Sequence, residues 1–420
     1  MKQLTDGIYH RHPNYWILNG AGTYENVAPP IIRLLIERRL VNVGLSADRS
    51  LIRDALLHVC SQQSIDYALP FLPGFPVGLH TINGGRILVP QALTLIQPQP
   101  GKADLIESIL LALLGSNQLT YFKGWLQISY NCLKDHEQMP GQVLILAGPQ
   151  DCGKNLTQEE IITPVLGDRI AEPYRYAVGK TQFNQDLYKA AHLMIADQKN
   201  PADRIQMREF IRRMASNDLE SLHPKGKDAI TLPALWRMSV SCNEQPDDLK
   251  IIPPLDGLEN KLLLFRCSLA AMPMPTGSPQ ARAKFAAAIR AELPAFIDSL
   301  LKFKIPQALH HERFGIKGYL HSELIRMVRR LDPEEKALEM IRAAKLITST
   351  KKFPIDLTKV TTAELYHSLH KIKSLRDQLS EIARSPVRLG QLLGLLADRN
   401  DGTVYRSTIV QGDQRWTINV

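Results

Sequence analysis

The sequence predicts an α/β protein. A central domain holds a largely parallel sheet, a mixed α/β segment precedes it, and a helical segment follows. Three observations lead there. Apolar, strand-like runs recur at 143–147, 192–196 and 236–242, alternating with helix-like segments near 154–166 and 201–215. The stretch LAGPQDCGKN, Leu146 to Asn155, closes the first run and nearly matches the phosphate-binding pattern G-x-x-x-x-G-K-[ST]. Near the end, the helix-like VRLGQLLGLLADR precedes two strand-like runs, TVYRSTI (403–409) and RWTINV (415–420). A helix followed by a β-hairpin is the outline of a winged helix.

In chain order, YWILNGAGTYENV (15–27) reads as strand, Gly-rich turn and strand. TINGGRILV (81–89) sets Asn83-Gly84-Gly85 between β-branched runs, a hairpin signal. Pro70, Pro73 and Pro76 make the segment before it irregular. A helical pair is expected at 103–114 and 118–134, and an amphipathic helix over 280–303. The expected domains are 1–125 (mixed α/β, a collar or partner-binding part), 126–305 (the nucleotide-binding core) and 306–420 (helical, ending in the winged-helix-like unit). A chain of 420 residues exceeds the usual size of one domain.

The hydrophobic fraction, 44%, is that of a globular protein, so disorder is not expected. A net charge of +9 favours a polyanionic partner. The five cysteines, Cys60, Cys132, Cys152, Cys242 and Cys267, include no C-x-x-C spacing. That argues against a disulfide framework or a zinc knuckle and fits a reducing cytoplasm. The N-terminus has no apolar signal core. The most apolar segment, Leu105 to Leu114, is interrupted by Glu107 and Ser108 and is shorter than a membrane span, so no membrane association is expected.

The chemistry concentrates in four motifs. Gly148 and Gly153 permit a tight backbone that points N–H groups at phosphate oxygens, with Pro149, Gln150, Asp151 and Cys152 between them. Lys154 would neutralise the β- and γ-phosphates, and the helix that follows adds a favourable dipole. The ligands implied are ATP and Mg²⁺. Asn155 stands where a Ser or Thr hydroxyl would meet the metal; its amide oxygen reaches the same region on a longer side chain. Cys152 reads as a small residue tolerated in the loop, with a redox role as the alternative. The second motif, HLMIADQ, is an apolar strand ending in Asp197, an acid placed to hold the Mg²⁺ shell. Gln198 follows, and it cannot accept a proton as a carboxylate does. The third is LWRMSVSCN, where Asn243 ends a buried strand and suits a sensor of the γ-phosphate; a turn Asn is the plainer reading. The fourth, SLHPKGKD, carries His223, Lys225 and Lys227 around a glycine. It suits a mobile loop gripping backbone phosphates, or a solvated turn.

Taken together, these residues resemble the helicase half of bacterial and phage primase-helicases, in helicase superfamily 3 of the AAA+ ATPases. The resemblance covers about residues 140–270. It extends weakly through FGIKGYLHSELI (314–325) and the winged-helix-like end. It implies that Gly148, Gly153 and Lys154 form the P-loop and that Asp197 is the Walker B acid. It implies that His223, Lys225 and Lys227 contact DNA and that Asn243 is sensor 1. PPLDGLENK (253–261) resembles a family segment after which a basic residue, Lys261 or Arg266, reaches a neighbour's γ-phosphate. Arg212 and Arg213 are weaker candidates for contacts between subunits. The family carries Ser or Thr at 155 and Glu at 198; here both are amides, which points to slow hydrolysis with binding retained.

The resemblance implies a ring-forming ATPase, a hexamer, of a phage, satellite or mobile element. It would move or melt DNA and has no primase block of its own. Single-stranded DNA, origin duplex DNA, and a primase or polymerase are the expected partners. Arg388 and Gln391 would lie on the winged helix's recognition helix, unless its leucines turn that helix inward. The alternatives are an ATP-binding ring that recruits replication partners without unwinding, and a defence or regulatory ATPase on the same core.

Overall fold

The computed structural model describes residues 1–69, 72, 75–135, 137, 139–196, 204–216, 219–223, 229–233, 235–348, 357–399, 402–410 and 413–419. The chain forms two compact units, Met1–His321 and Ser322–Val420.

The first unit is built on a six-stranded sheet. Its strands are β1 (Val143–Gly148), β2 (Ile170–Ala171), β3 (His192–Ala196), β4 (Arg237–Asn243), β5 (Leu262–Arg266) and β6 (Tyr319–Leu320). They lie in the order β6-β5-β1-β4-β3-β2, and every pairing is parallel. All six residues of β1 are buried, which is why that run reads as continuously apolar: helices cover both faces of a parallel sheet. The three strand-like runs read from the sequence are β1, β3 and β4.

Helix α1 (Asp104–Asp135) supplies much of the core, with Leu110, Phe122, Trp125 and Tyr130 buried together with Leu144, Leu146 and Phe265. Gly115, at φ 69°, breaks it, and so the sequence suggests a helical pair. By length and composition α1 could cross a membrane. The apolar segment read as ending at Leu114 therefore continues past the break, and its buried face packs in the core of this unit. Helix α2 (Arg204–Ser216) and helix α3 (Pro279–Lys302) match the other helical expectations. Ser278 caps α3 by accepting from the Ala281 N–H at 3.1 Å.

Among the described residues, the segment before α1 carries two small three-stranded sheets and helices Lys2–Thr5, Pro29–Asn42 and Arg49–Gln62. The expected hairpin forms: Gly78–Ile82 pairs antiparallel with Gly85–Val89, and Asn83 and Gly84 sit at φ 48° and 81°. Two consecutive positive φ values are what a tight primed turn needs.

The second unit packs helices Ser322–Arg329, Pro333–Thr348, Thr362–Lys371, Lys373–Ile382 and Pro386–Asp398 with a three-stranded sheet. Strands Val404–Val410 and Asp413–Ile418 form the expected hairpin after the last helix, and Val360–Thr361 adds a third strand. Leu389, Leu392, Leu393 and Leu396 are buried against Leu365, Leu369 and Trp416. Leu395 and Val387 are exposed instead.

Candidate nucleotide site

The sheet order creates the site. From β1 the chain runs to the β2 edge, returns through β3 and β4, then crosses β1 to reach β5 and β6. The carboxyl end of β1 is thus a topological switch point, the place where open α/β sheets leave a ligand crevice. Gly148 ends β1 there. A Cβ on Gly148 would lie 2.7 Å from both the Cβ and the carbonyl oxygen of Cys267, so this close approach admits no side chain. Asp151 at φ 59° and Gly153 at φ 101° then wind the loop through the left-handed region. Gly adopts that conformation freely, and Asp is among the few other residues that tolerate it. Such a loop turns successive N–H groups inward, an anion-binding nest.

Lys154 begins the helix beyond the loop and is 4% exposed. Its ammonium donates to the carbonyls of Gly148 (3.1 Å) and Pro149 (2.7 Å) and to Asn243 Oδ1 (3.2 Å), with Cys152 Sγ at 3.8 Å. The structure thereby joins two motifs that the sequence singled out separately, the phosphate loop with Gly148 and Lys154, and Asn243. Asn243 reaches the loop because β4 lies beside β1 in parallel register, with Asn243 opposite Gly148. A buried cation held by carbonyl and amide oxygens gains from an incoming phosphate, which answers its full charge.

Asn155 behaves differently. Its Oδ1 accepts from the Ser241 hydroxyl at 2.8 Å, so that oxygen is engaged on β4. One turn on, the helix widens into a π-turn over Thr157–Ile162. Here Gln158 Nε2 donates to Ser239 Oγ (2.6 Å), and Ser239 Oγ meets His192 Nε2 (2.7 Å). His192 Nδ1 meets Thr163 Oγ1 (2.7 Å), which donates to the Gln158 carbonyl (2.8 Å). The ring closes if His192 carries its proton on Nδ1. Burial pushes the His192 pKa down to about 3, so the imidazole is neutral. This network ties the phosphate-loop helix to β3 and β4. The sequence showed no sign of it, because a polar residue in an apolar run does not name its partner.

Asp197 and Gln198 lie outside the described residues, as do Lys225 and Lys227. The hairpin around those lysines is described: Leu219–Leu222 pairs antiparallel with Ile230–Pro233. His223 is exposed just past the first of these strands, and its N–H donates to Asn184 Oδ1 at 2.7 Å. Asn184 Nδ2 donates to the Ser221 carbonyl (2.7 Å), and the Tyr188 hydroxyl donates to the Glu220 carbonyl (2.6 Å). Asn184 and Tyr188 thus anchor the hairpin, a role invisible in the sequence. Arg213 serves the same end. Its guanidinium stacks 5.3 Å from the Tyr176 ring and lies 3.3 Å from the Glu220 carboxylate.

The two basic candidates on and beside β5 separate. Arg266 lies beside Ala147 at the phosphate-loop end, and Glu244 clasps it in a bidentate pair at 2.6 and 3.1 Å. That pair, chiefly its hydrogen bond, raises the Arg266 pKa. Gln118, another residue not anticipated, both accepts from the Arg266 N–H and donates to its carbonyl. Lys261 precedes β5 at the opposite end of the sheet, its carbonyl accepting from the Val143 N–H. Partial burial lowers its pKa, and Arg212, Arg313 and Arg208 add to this against Glu209. In the second unit, Arg388 and Gln391 are exposed and bonded to each other at 3.0 Å.

No protein-family profile matches the chain, and no curated protein matches it. Solved structures do. The A-form apo structure of the NrS-1 C-terminal region aligns with a TM-score of 0.59 at 12% identity, covering 99% of this chain and 97% of that one. A second apo structure of the same region aligns with a TM-score of 0.59 at 11% identity and the same coverage. An active helicase, SCCmec type IV Cch, aligns with a TM-score of 0.30 at 12% identity over 92% of this chain and 70% of that one, which is too low to carry an inference. At these identities the likeness speaks to fold: this chain shares the architecture of the NrS-1 C-terminal region from end to end.

Proposed function

We propose that the protein is an ATP-driven motor on DNA, a helicase or replication initiator that works as a ring of identical copies. The observation carrying this reading is the buried Lys154 ammonium at the switch point, hydrogen-bonded to Asn243 Oδ1 at 3.2 Å. Phosphate entering the loop would draw Lys154 from Asn243 and release the amide to sense the γ-phosphate. Asn243 ends the same strand that begins just past the hairpin strand Ile230–Pro233. Nucleotide state at one end of β4 would therefore bear on the DNA-gripping loop at the other. Lys225 and Lys227 would hold one strand by its phosphates, a contact indifferent to base sequence.

ATP fits the loop: its charge would satisfy a lysine now held by uncharged oxygens. Mg²⁺ would supply charge neutralisation between phosphates, with Asn155 and Asp197 holding its shell. Asn155 would exchange its Ser241 hydrogen bond for that role. For the contact between copies, Lys261 fits better than Arg266. Arg266 is committed to Glu244, whereas Lys261 stands among Arg208, Arg212 and Arg313, surroundings that favour an anion from outside. Exposed Ile31, Leu34 and Val41 on one side of helix Pro29–Asn42 give a second apolar surface for association.

The second reading is an ATP-holding ring that recruits partners and hydrolyses slowly. The engagement of Asn155 with Ser241, and Gln198 in the sequence, favour it. Steady-state ATP hydrolysis with and without single-stranded DNA separates the two. A motor turns over and DNA stimulates it; Lys154→Ala weakens nucleotide binding roughly hundredfold. Turnover only in Gln198→Glu identifies the ATP-holding form. Wild-type nucleotide affinity in Lys154→Ala rejects both.

A further inference from the structure

One stretch beside the phosphate loop plays no part in the proposed reaction. Residues 267–281 carry no Asp, Glu, Lys or Arg, in a chain where those types make up 22%. The stretch leaves β5, passes along the flank of the loop and enters α3. Even-numbered residues from Ala270 to Ser278 are half-buried, and odd-numbered ones from Leu269 to Gly277 are exposed. That period of two belongs to an extended backbone with one side laid on the body of the protein. Its ends are tied down. The Cys267 N–H donates to the Ala147 carbonyl at 2.7 Å, the Ser268 N–H to the Leu113 carbonyl at 2.9 Å, and the Arg282 guanidinium to the Thr276 carbonyl at 3.1 Å.

The two glycines of the phosphate loop meet this segment at different places. A Cβ on Gly148 would lie 2.7 Å from the Cβ of Cys267, and a Cβ on Gly153 would lie 2.8 Å from the Cε methyl of Met272. The segment therefore runs alongside the loop from its first glycine to its second. On the nucleotide reading above, on which this inference rests, the terminal phosphate belongs at the Gly148 end, where the Lys154 ammonium bonds the Gly148 carbonyl and Asn243 Oδ1. The sugar and base would then leave the loop at Gly153, beside Met272. Met272 and Met274 are half-buried and pack on the core cluster that includes Cys152, and each keeps part of its surface open to the outside. A thioether side chain is unbranched and polarisable, and it makes favourable contact with an aromatic ring. The loop answers the charge of the phosphates; the segment, which carries none, suits the uncharged end of the ligand.

We propose that residues 267–278 form the base-side wall of the nucleotide site, with Met272 as the residue on which the base rests and Met274 beside it. The wall takes a nucleoside triphosphate in preference to a bare polyphosphate. Met272 sets that preference, while Lys154 serves any ligand with a phosphate chain. Because the segment is held at both ends before a ligand arrives, little ordering is lost when a base meets it.

The whole chain is titrated with ATP and, separately, with inorganic tripolyphosphate by calorimetry. Wild type is expected to bind ATP more tightly than tripolyphosphate. Met272→Ala should weaken ATP by roughly fivefold to tenfold, the upper part of what a sulfur–aromatic contact supplies, and leave tripolyphosphate within about twofold. Met272→Leu, which keeps the apolar bulk, should recover most of the ATP affinity. A photoreactive azido-ATP on the wild-type chain, mapped by mass spectrometry, should label a residue of 267–278, and excess ATP should prevent the labelling. Equal weakening of both ligands in a Met272→Ala variant that folds as wild type, by circular dichroism, shows that Met272 only shapes the loop and overturns the proposal. Unchanged ATP affinity in that variant overturns it too, as does a label confined to another segment. If the variant does not fold, the label on wild type decides. Wild type that binds tripolyphosphate as tightly as ATP removes the wall and keeps the phosphate site. Wild type that binds neither ends the nucleotide reading, and the wall with it.

Discussion

At the residue scale, His192 shows how burial turns a common side chain into a pH liability. Its two ring nitrogens bond Thr163 and Ser239, and burial holds its pKa at about 3. The unfolded chain returns it to the ordinary value of about 6.5. Between these values the unfolded state binds the extra proton, so stability is full above pH 6.5 and is lost as pH falls towards 3. From pH 7 to pH 5 the loss is about 2 kcal/mol from this group alone. Urea unfolding at both pH values should show that difference in wild type and a smaller one in His192→Gln. Equal pH sensitivity in the two proteins would show that His192 does not carry the effect. Lys154 illustrates a different lesson: its type was legible in the G-x-x-x-x-G-K pattern, but its pairing with Asn243 was not.

At the element scale, helix ends are held by charges from other helices. Arg399, just past helix Pro386–Asp398, bonds Glu335 and Glu334 at 2.7 Å each and lies 3.5 Å from Asp332. Those acids sit at the start of helix Pro333–Thr348, where negative charge also suits the helix dipole. The arginine is 9% exposed, so its removal would leave carboxylates buried beside no compensating guanidinium. Arg399→Met should cost roughly 3 kcal/mol in the second unit. A lower urea midpoint by circular dichroism checks this; an unchanged midpoint contradicts it. Helix Thr362–Lys371 is held at its start by its own residues: Thr361 and Glu364 form a capping box, with Glu364 Oε2 accepting from the Thr361 N–H at 2.9 Å.

At the scale of the whole molecule, the +9 charge and the ring reading make two predictions. Single-strand DNA binding by the Lys225→Ala, Lys227→Ala double variant should show a salt slope shallower by about 1.4, because two phosphates go unneutralised. Nucleotide affinity should stay at the wild-type value. An unchanged slope would remove the hairpin from the DNA contact. The second prediction concerns copies. If Lys261 completes a neighbour's site, Lys154→Ala and Lys261→Ala are each inactive alone. Mixed in equal amounts, they should recover roughly a quarter of the sites, since a head-to-tail interface can pair one intact loop with one intact lysine. No recovery on mixing would place both residues in one copy's site or exclude the ring.

What the sequence determined by itself was local. The strand runs, the Asn83-Gly84 turn, the phosphate loop and the hairpin at the C-terminal end follow from sterics and hydrophobic period within a few residues. These act on any chain that carries the pattern. What only the tertiary structure decided was adjacency. Placing β4 and β5 on either side of β1 brought Asn243 to Lys154 and Cys267 to Gly148. The parallel pairing of β5 with β1 put Arg266 at the phosphate-loop end of the sheet and Lys261 at the other. Sheet order is set by how whole elements bury their apolar faces together, and no single stretch of sequence records that sum.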